Sequence, residues 1–402
     1  MAPPYPYLYI VKILVAILGL LLALLGGLAG LFILLGLVLS PEPVPLDGAV
    51  TGVTVMLLGL GLGGALAWHG GSALGRRASA LFHPLPVWIL LILYLPVIVL
   101  GQLLITFDLF PALTFPLFHF LGAAIPPFAI LAFAGRAFQA AGFRWREIII
   151  QFSGGIILAP LLALTAEIIF GLMIFLLTLA LFALTPGGLT SLQEWAANIQ
   201  DPLWLQNPEN IRELILFPPV AITVALTFIM LGPIIEELVK PLGVVLMSYR
   251  RPLPAQAFLW GLAGGAGFAL LENLFNTTLA LEAWFFIMLL RIGATLMHCL
   301  ASGLTGLGWQ RFLSERRPWK LLGAYSLSVI IHAIWNSLVV AVSGLALLSI
   351  GSGAPFALAL SGVLVLLILF LFLILTLAFI VSLALLTRRL RADLPATTGL
   401  AS

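Results

Sequence analysis

Long apolar runs recur along almost the whole chain and restrict its fold more than any other feature. A membrane-spanning helix needs about 20 predominantly apolar residues. Only 8% of this chain is charged, against roughly 25% in a soluble domain. The pattern predicts an all-α, polytopic transmembrane bundle of about ten membrane-spanning helices. The runs fall near residues 8–39, 49–68, 86–106, 112–134, 148–185, 216–247, 255–278, 283–309, 321–348 and 355–387.

The first and fifth runs are too long for one straight crossing. A helix of that length can tilt, lie partly at the interface, or kink, and Gly26-Gly27 and Pro160 are candidate kink positions. Glu167 lies inside the fifth run. A hairpin there would raise the count to eleven, but ten spans are the better interpretation. The first run is also too long, and too poor in preceding basic residues, for a cleavable signal peptide.

The loop charges predict the orientation of these spans. Basic residues collect in every second loop, whereas the alternate loops are acidic, and by the positive-inside rule this places both termini in the cytoplasm. Because the basic groups form short juxtamembrane clusters, a nucleic-acid partner is not expected. The basic clusters are Arg76 and Arg77; Arg136, Arg144 and Arg146; Arg250 and Arg251; Arg311, Arg316, Arg317 and Lys320; and Arg388, Arg389 and Arg391.

The longest segment on the predicted outer side is Thr185–Phe217. Trp195, Trp204 and Leu205 stand among polar residues there, which is typical of an amphipathic piece at a membrane interface. It is either a connector or a rim that guides a substrate sideways.

Ionisable residues inside the sixth run are the strongest indication of function. Glu236, Glu237 and Lys240 lie in an otherwise apolar stretch. One such group at the centre of a bilayer costs about 2.5–3.5 kcal/mol on insertion scales. A lipid-facing helix would not carry three, so this face is expected to meet a polar cavity or partner side chains.

The next three spans each add polar residues. The seventh has Glu272 and Asn273, the eighth Arg291 and His298, and the ninth His332 and Asn336. Residues four apart share one face of a helix, which pairs Glu236 with Lys240 and His332 with Asn336. Glu236 stands roughly 21 Å along the helix from Arg250, which is close to mid-membrane. Adjacent antiparallel helices are expected to bring these groups together.

Such a set suits the activation of water against a carbonyl group. A nearby cation keeps a buried carboxylate ionised, a carboxylate is a general base, and histidine and asparagine can donate to an oxyanion. Each residue also has a structural interpretation. Glu237 with Lys240 or Arg291 can be an ion pair that joins helices, and Asn273 can simply bond the backbone.

Four motifs together carry a family resemblance: EELVK at 236–240, FALLEN at 268–273, the pair Arg291 and His298, and HAIWN at 332–336. They resemble the PrsW family of membrane proteases, which is similar to the wider CPBP group with its CAAX-processing prenyl-protein endopeptidases. The resemblance covers about residues 216–345. It implies a glutamic-type intramembrane protease that acts on membrane-anchored protein substrates.

The resemblance also implies roles for the residues. It places Glu236 as the base that activates water, His332 and Asn336 as the oxyanion hole, and His298 as a group that orients the water. Glu272 stands where CPBP proteins often have histidine, so a catalytic or a structural role stays open. The full predicted set is Glu236, Glu237, Glu272, His298, His332 and Asn336, supported by Lys240, Asn273 and Arg291.

No cofactor is expected, because the chain has no HExxH motif. A zinc site built from Glu236, Glu272, His298 and His332 is the less favoured interpretation. The implied organisation is an N-terminal set of spans with the outer connector (1–215), a catalytic helical core (216–348), and a last span with a basic cytoplasmic tail (349–402). The expected location is a prokaryotic cell membrane.

Two other functions fit the same residues. A non-catalytic scaffold of this superfamily would retain the buried histidines, although it would not need the full EExxK and Glu272 set. A proton-coupled transporter would also bury Glu, His and Lys as a proton relay. A transporter should respond to a pH gradient, whereas a protease should not need one.

Overall fold

The computed structural model describes residues 6–278, 281–349 and 355–394, which form an all-α protein without β-strands. A π-helix lies at Thr227–Leu231, and single 3-10 turns lie at Gln139–Ala141, Ser248–Arg250 and Leu281–Ala283. The α-helices are α1 (Pro6–Leu39), α2 (Leu46–Leu74), α3 (Val87–Thr106), α4 (Pro111–Ala137), α5 (Trp145–Ile156), α6 (Leu158–Ala183), α7 (Gly188–Asn198), α8 (Pro202–Leu205), α9 (Pro208–Leu216), α10 (Pro218–Leu226), α11 (Gly232–Val239), α12 (Leu242–Leu246), α13 (Pro254–Thr278), α14 (Trp284–Glu315), α15 (Pro318–Ser349) and α16 (Pro355–Ala392).

Within the described residues, ten segments are long and apolar enough to cross a membrane. This confirms the predicted count and a multi-pass membrane protein. The fifth span consists of α5 and α6, and α6 continues through Glu167 without a hairpin. The side on which each terminus lies, and the boundaries 1–215, 216–348 and 349–402, stay predictions. Residues 395–402 of the predicted tail lie outside the described ranges.

Prolines divide the fifth and sixth spans into shorter helices. Pro160 has no N–H to donate to the carbonyl of Ile156, the last residue of α5, and the helix breaks at Ile157. The sixth span is divided in the same way around Pro233 and Pro241, into α10, the π-helix, α11 and α12. These breaks allow short helical pieces to turn polar groups inward at the centre of the bundle.

Helix α13 lies at the centre of the bundle, and glycines allow three neighbours to approach it. A Cβ added at Gly261 would meet the Ser302 carbonyl on α14, and one at Gly267 would meet the Phe152 carbonyl on α5. A Cβ at Gly264 would meet the carbonyl of Lys240, the residue after α11. Small residues therefore place these backbones in contact, as is common in membrane helix packing.

We expect Gly261→Ala to destabilise the protein by about 1–3 kcal/mol, because the new methyl group overpacks α13 against a backbone that cannot move aside. Gly323→Ala is the matched control, since a Cβ there meets nothing within 4 Å. Alanine at that position should stabilise the helix by up to about 1 kcal/mol. The free energy of unfolding in mixed detergent micelles measures both changes, and equal effects would contradict the packing described for α13.

The segment predicted as an outer amphipathic piece folds into the three short helices α7, α8 and α9. Trp195 stacks on Phe217 with ring centroids 5.1 Å apart and also contacts Phe175 of α6. The side chain of Leu205 lies outside the described set. This segment therefore packs on the end of α6, while its place in a membrane stays a prediction.

Candidate active site

Helix α11 and the residue that follows it bring two carboxylates to one ammonium group. Lys240 Nζ lies 2.8 Å from Glu236 Oε2 and 2.8 Å from Glu237 Oε1. The spacings of four and three residues put both partners within reach of one lysine. The ammonium also lies 4.2 Å from the ring centroid of Phe268 on α13. Lys240 is fully buried, so these contacts replace its hydration.

The two adjacent glutamates have different surroundings. Glu237 is completely buried, and its oxygens meet Lys240, Ser302 and His332. Glu236 instead lines a half-open cavity. Its Oε2 meets the ammonium at 2.8 Å as an ion pair. Glu236 is thus the member of the pair that a substrate or a water can reach.

The partners of His298 fix its hydrogen positions. Its Nδ1 lies 2.8 Å from Lys240 Nζ, and because an ammonium group only donates, Nδ1 accepts. The hydrogen of the neutral ring is then on Nε2, which lies 2.7 Å from Glu272 Oε2. Both ring nitrogens are therefore occupied, and His298 links the α11 carboxylates to Glu272 on α13.

Glu272 is held from a second direction by Arg291. Arg291 Nη2 donates to Glu272 Oε2 at 2.8 Å, and Arg291 Nε donates to Asn273 Oδ1 at 2.6 Å. The Asn273 amide donates in turn to Thr295 Oγ1 and to the Ala123 carbonyl. Asn273 therefore does more than bond the backbone, since it also positions the guanidinium group.

His332 on α15 lies between the two glutamates of α11. Its Nδ1 is 2.9 Å from Glu237 Oε1, and its Nε2 is 3.9 Å from Glu236 Oε2. The rings of His332 and His298 meet edge to face with centroids 4.9 Å apart. Glu237 thus orients the His332 ring so that Nε2 points toward Glu236.

Asn336 is placed by the irregular backbone before α11. In the π-helix, Gly232 N–H donates to the Thr227 carbonyl five residues earlier. The next donor in that pattern would be Pro233, which has no N–H. The Phe228 carbonyl is left free, and Asn336 Nδ2 donates to it at 2.9 Å. Among the described residues, no acceptor is found for its second amide hydrogen.

A half-open cavity of about 740 Å³ adjoins this cluster. Most of its wall is apolar, with Phe268 and Trp335 among the larger side chains. The predicted site residues that line it are Glu236, Glu272, Arg291, His298 and Asn336. The volume is in the range of pockets that hold a small ligand or part of a chain.

The structure therefore places all nine predicted residues around one site. Eight of them form one network of hydrogen bonds and ion pairs from Asn273 to His332, and Asn336 lines the same cavity. Sequence reasoning did not assign Glu167, Thr227 or Ser302 to it. Glu167 was detectable as a single carboxylate in an apolar run, whereas small polar residues in spans give no comparable signal.

The donors Glu236, His298 and His332 are of the kind that zinc takes, and one atom of each lies within 4.8 Å of the others. Their surroundings do not fit a dication. A metal ligand needs a free lone pair, but the lone pair on His298 Nδ1 already accepts a hydrogen bond from Lys240. The same ammonium contacts Glu236, so a metal ion at these atoms would meet a buried positive charge or have to displace it.

Comparison with family models finds a match to this chain. The model described as PrsW family intramembrane metalloprotease matches residues 144–375, which is more than half of the chain and includes every predicted site residue. No curated protein and no solved structure matches significantly. The motifs, the ten apolar spans and this match agree, and the chain belongs to the PrsW family of intramembrane proteases.

Proposed function

We propose that this protein hydrolyses peptide bonds of membrane-bound proteins in a prokaryotic cell membrane, with Glu236 as the base that activates water. The observation that carries the proposal is the position of Glu236. One of its oxygens is held by Lys240, while the residue itself faces a cavity large enough for a polypeptide segment. A carboxylate kept anionic by a cation is able to accept a proton from water.

The proposed reaction needs no other base. Glu236 takes a proton from the water, and the resulting hydroxide forms a bond to the carbonyl carbon of the substrate. The tetrahedral intermediate then breaks its C–N bond, and the amine nitrogen leaves with the proton that Glu236 carries. Glu236 is a carboxylate again at the end of each cycle, and the products are a carboxylic acid and an amine.

His332 and Asn336 are the proposed donors to the oxyanion. Asn336 has one amide hydrogen left after its bond to Phe228. His332 bonds Glu237 through Nδ1, so only its doubly protonated form also has a hydrogen on Nε2 to donate. Donors of this type typically contribute about 10²–10³ in rate each.

The remaining polar residues are proposed as positioning residues. Glu237 orients His332, Lys240 holds one oxygen of Glu236, and His298 contacts that lysine. Glu272, Arg291 and Asn273 in turn hold His298. Glu272 is therefore proposed to be a positioning residue and not a second base.

We further propose that catalysis is metal-free, although the family description names metalloproteases. The argument is the Lys240 ammonium, which already neutralises Glu236 and occupies the lone pair of His298. We expect purified, active protein to contain zinc or other transition metals well below one equivalent, and 1,10-phenanthroline to leave cleavage unchanged. Metal analysis of the protein before and after the chelator, with activity measured on both samples, checks this. One equivalent of zinc whose removal abolishes cleavage would contradict it.

Proteomics of membrane fragments tests the proposed activity in cells. Cells with the intact protein should accumulate fragments cut within or beside a transmembrane segment, and cells with Glu236→Gln should not. Equal fragments in both would contradict the proposal and favour the non-catalytic scaffold. Family membership supports the protease over a proton-coupled transporter.

A further inference from the structure

Two polar groups on the cavity wall have no part in the proposed mechanism. Glu167 on α6 and Thr227 in the π-helix both line the cavity. Glu167 Oε1 and Thr227 Oγ1 are buried atoms with no hydrogen-bond partner among the described residues. Such a group costs about 1–3 kcal/mol when it is left unsatisfied, so a partner from outside the chain is the physical explanation to test.

Gly232 locates these groups relative to the base. A Cβ built on Gly232 would lie 3.5 Å from Glu236 Oε1 and 3.7 Å from Glu167 Oε1. The two carboxylate oxygens therefore lie within about 7 Å of each other. Because the residue is glycine, no side chain fills the space between them, and that space opens on the cavity.

Thr227 packs against the face of α6 that carries Glu167, one helical turn further along that helix. A Cβ built on Gly171, four residues after Glu167, would lie 3.5 Å from Thr227 Oγ1, and residues four apart share a helix face. A carboxylate oxygen accepts hydrogen bonds, while a hydroxyl group can also donate one. Glu167 and Thr227 thus present an acceptor and a donor beside the proposed base.

A transmembrane substrate needs partners of this kind. Its peptide bonds are hydrogen-bonded within the helix, so cleavage requires that the helix unwind locally and free some N–H and C=O groups. In an apolar cavity each freed group must be satisfied by the protein.

We propose that Glu167 and Thr227 form a subsite that binds the backbone of the unwound substrate next to the scissile bond. Glu167 accepts from a substrate N–H, and Thr227 donates to a substrate carbonyl. The inference rests on the proposed protease function and adds to it the recognition of substrate backbone rather than of particular side chains.

A binding experiment tests the subsite separately from cleavage. The probe is a fluorescent transmembrane peptide of leucine and alanine with a central Gly-Ser pair, together with four analogues that each replace one central amide by an ester. Each ester removes one N–H. Affinities are measured in lipid nanodiscs on Glu236→Gln protein, which should not cut the peptide, with and without Glu167→Leu. Cleavage of the all-amide peptide by the wild type is followed in parallel.

We expect Glu167→Leu to weaken binding of the all-amide peptide about 10-fold or more, the effect of losing a hydrogen bond to a carboxylate. One ester analogue should bind weakly to both proteins, with less than about a threefold difference between them, because the lost N–H is the partner of Glu167. Glu167→Gln retains an acceptor oxygen and should stay within about threefold of the parent. Thr227→Val should weaken binding, whereas the control Thr165→Val should not, since the Thr165 hydroxyl bonds its own helix at Leu161.

Three results would each overturn the subsite. Glu167→Leu could weaken the binding of all five peptides equally, it could weaken the binding of none, or no peptide could bind at all. If one ester analogue and Glu167→Leu share the same loss of binding but the wild type does not cut the peptide, the subsite is upheld and the protease function is contradicted. If the wild type cuts the peptide but no ester analogue shares the loss with Glu167→Leu, the protease function is upheld and the subsite is contradicted.

Discussion

Replacing Glu236 by glutamine should lower the rate of substrate cleavage by at least about 10²–10⁴-fold, the usual contribution of a general base. Glutamine has nearly the same shape and can still accept from Lys240, so the protein should remain folded. The amide cannot take a proton from water, so turnover is lost while the cavity is retained. Initial rates with purified protein in proteoliposomes, together with detergent stability, measure the two effects separately.

Two comparison variants make this result specific. Glu194→Gln on α7 has the same chemical change at an exposed position and should cleave at the wild-type rate. Glu237→Gln changes the neighbouring carboxylate, which meets Lys240, Ser302 and His332, and should cost stability as well as activity. Retained turnover in Glu236→Gln would remove this residue as the base.

Lys240→Met should destabilise the protein by about 3–5 kcal/mol, because it leaves buried carboxylates without their counter-ion. The lysine side chain is 0% exposed and lies 2.8 Å from both Glu236 and Glu237. Methionine fills much of the same volume, so the loss of stability measures the removal of the positive charge more than a change in packing. The free energy of unfolding in mixed micelles is the measurement.

Lys320→Met is the matched control for this variant. Lys320 makes an ion pair of similar length, 2.7 Å to Glu315 Oε2, but the two side chains are 27% and 36% exposed to solvent. Exposed pairs are screened by water and contribute little, so this change should be nearly neutral. A Lys240→Met protein as stable as the control would show that the buried ammonium does not hold the cluster together.

The sequence was sufficient for the fold class because apolar runs of about 20 residues have few other interpretations. It also predicted the polar cluster, since groups at helical spacing in successive spans are expensive unless they meet. Glu236 with Lys240, and His332 with Asn336, are examples where spacing alone indicated a shared face. The orientation of the bundle follows from loop charges and remains a prediction.

Three features could not be obtained in this way. The π-helix at Thr227–Leu231 depends on Asn336 of a distant span, which satisfies the Phe228 carbonyl. The hydrogen position on His298 depends on Lys240 and Glu272, which lie on two other segments. Glu167 is a single carboxylate with no partner at helical spacing, so only the fold placed it across Gly232 from Glu236.

The central claim is that the buried cluster uses Glu236 to add water to a substrate peptide bond within the membrane. Single-turnover cleavage in H₂¹⁸O tests it most directly, with purified protein, a substrate from the fragment comparison, and proteoliposomes without a pH gradient. The account predicts that wild-type protein incorporates ¹⁸O into the new carboxyl terminus and that Glu236→Gln yields no product. Absence of product from the wild type, or equal incorporation by Glu236→Gln, would contradict it.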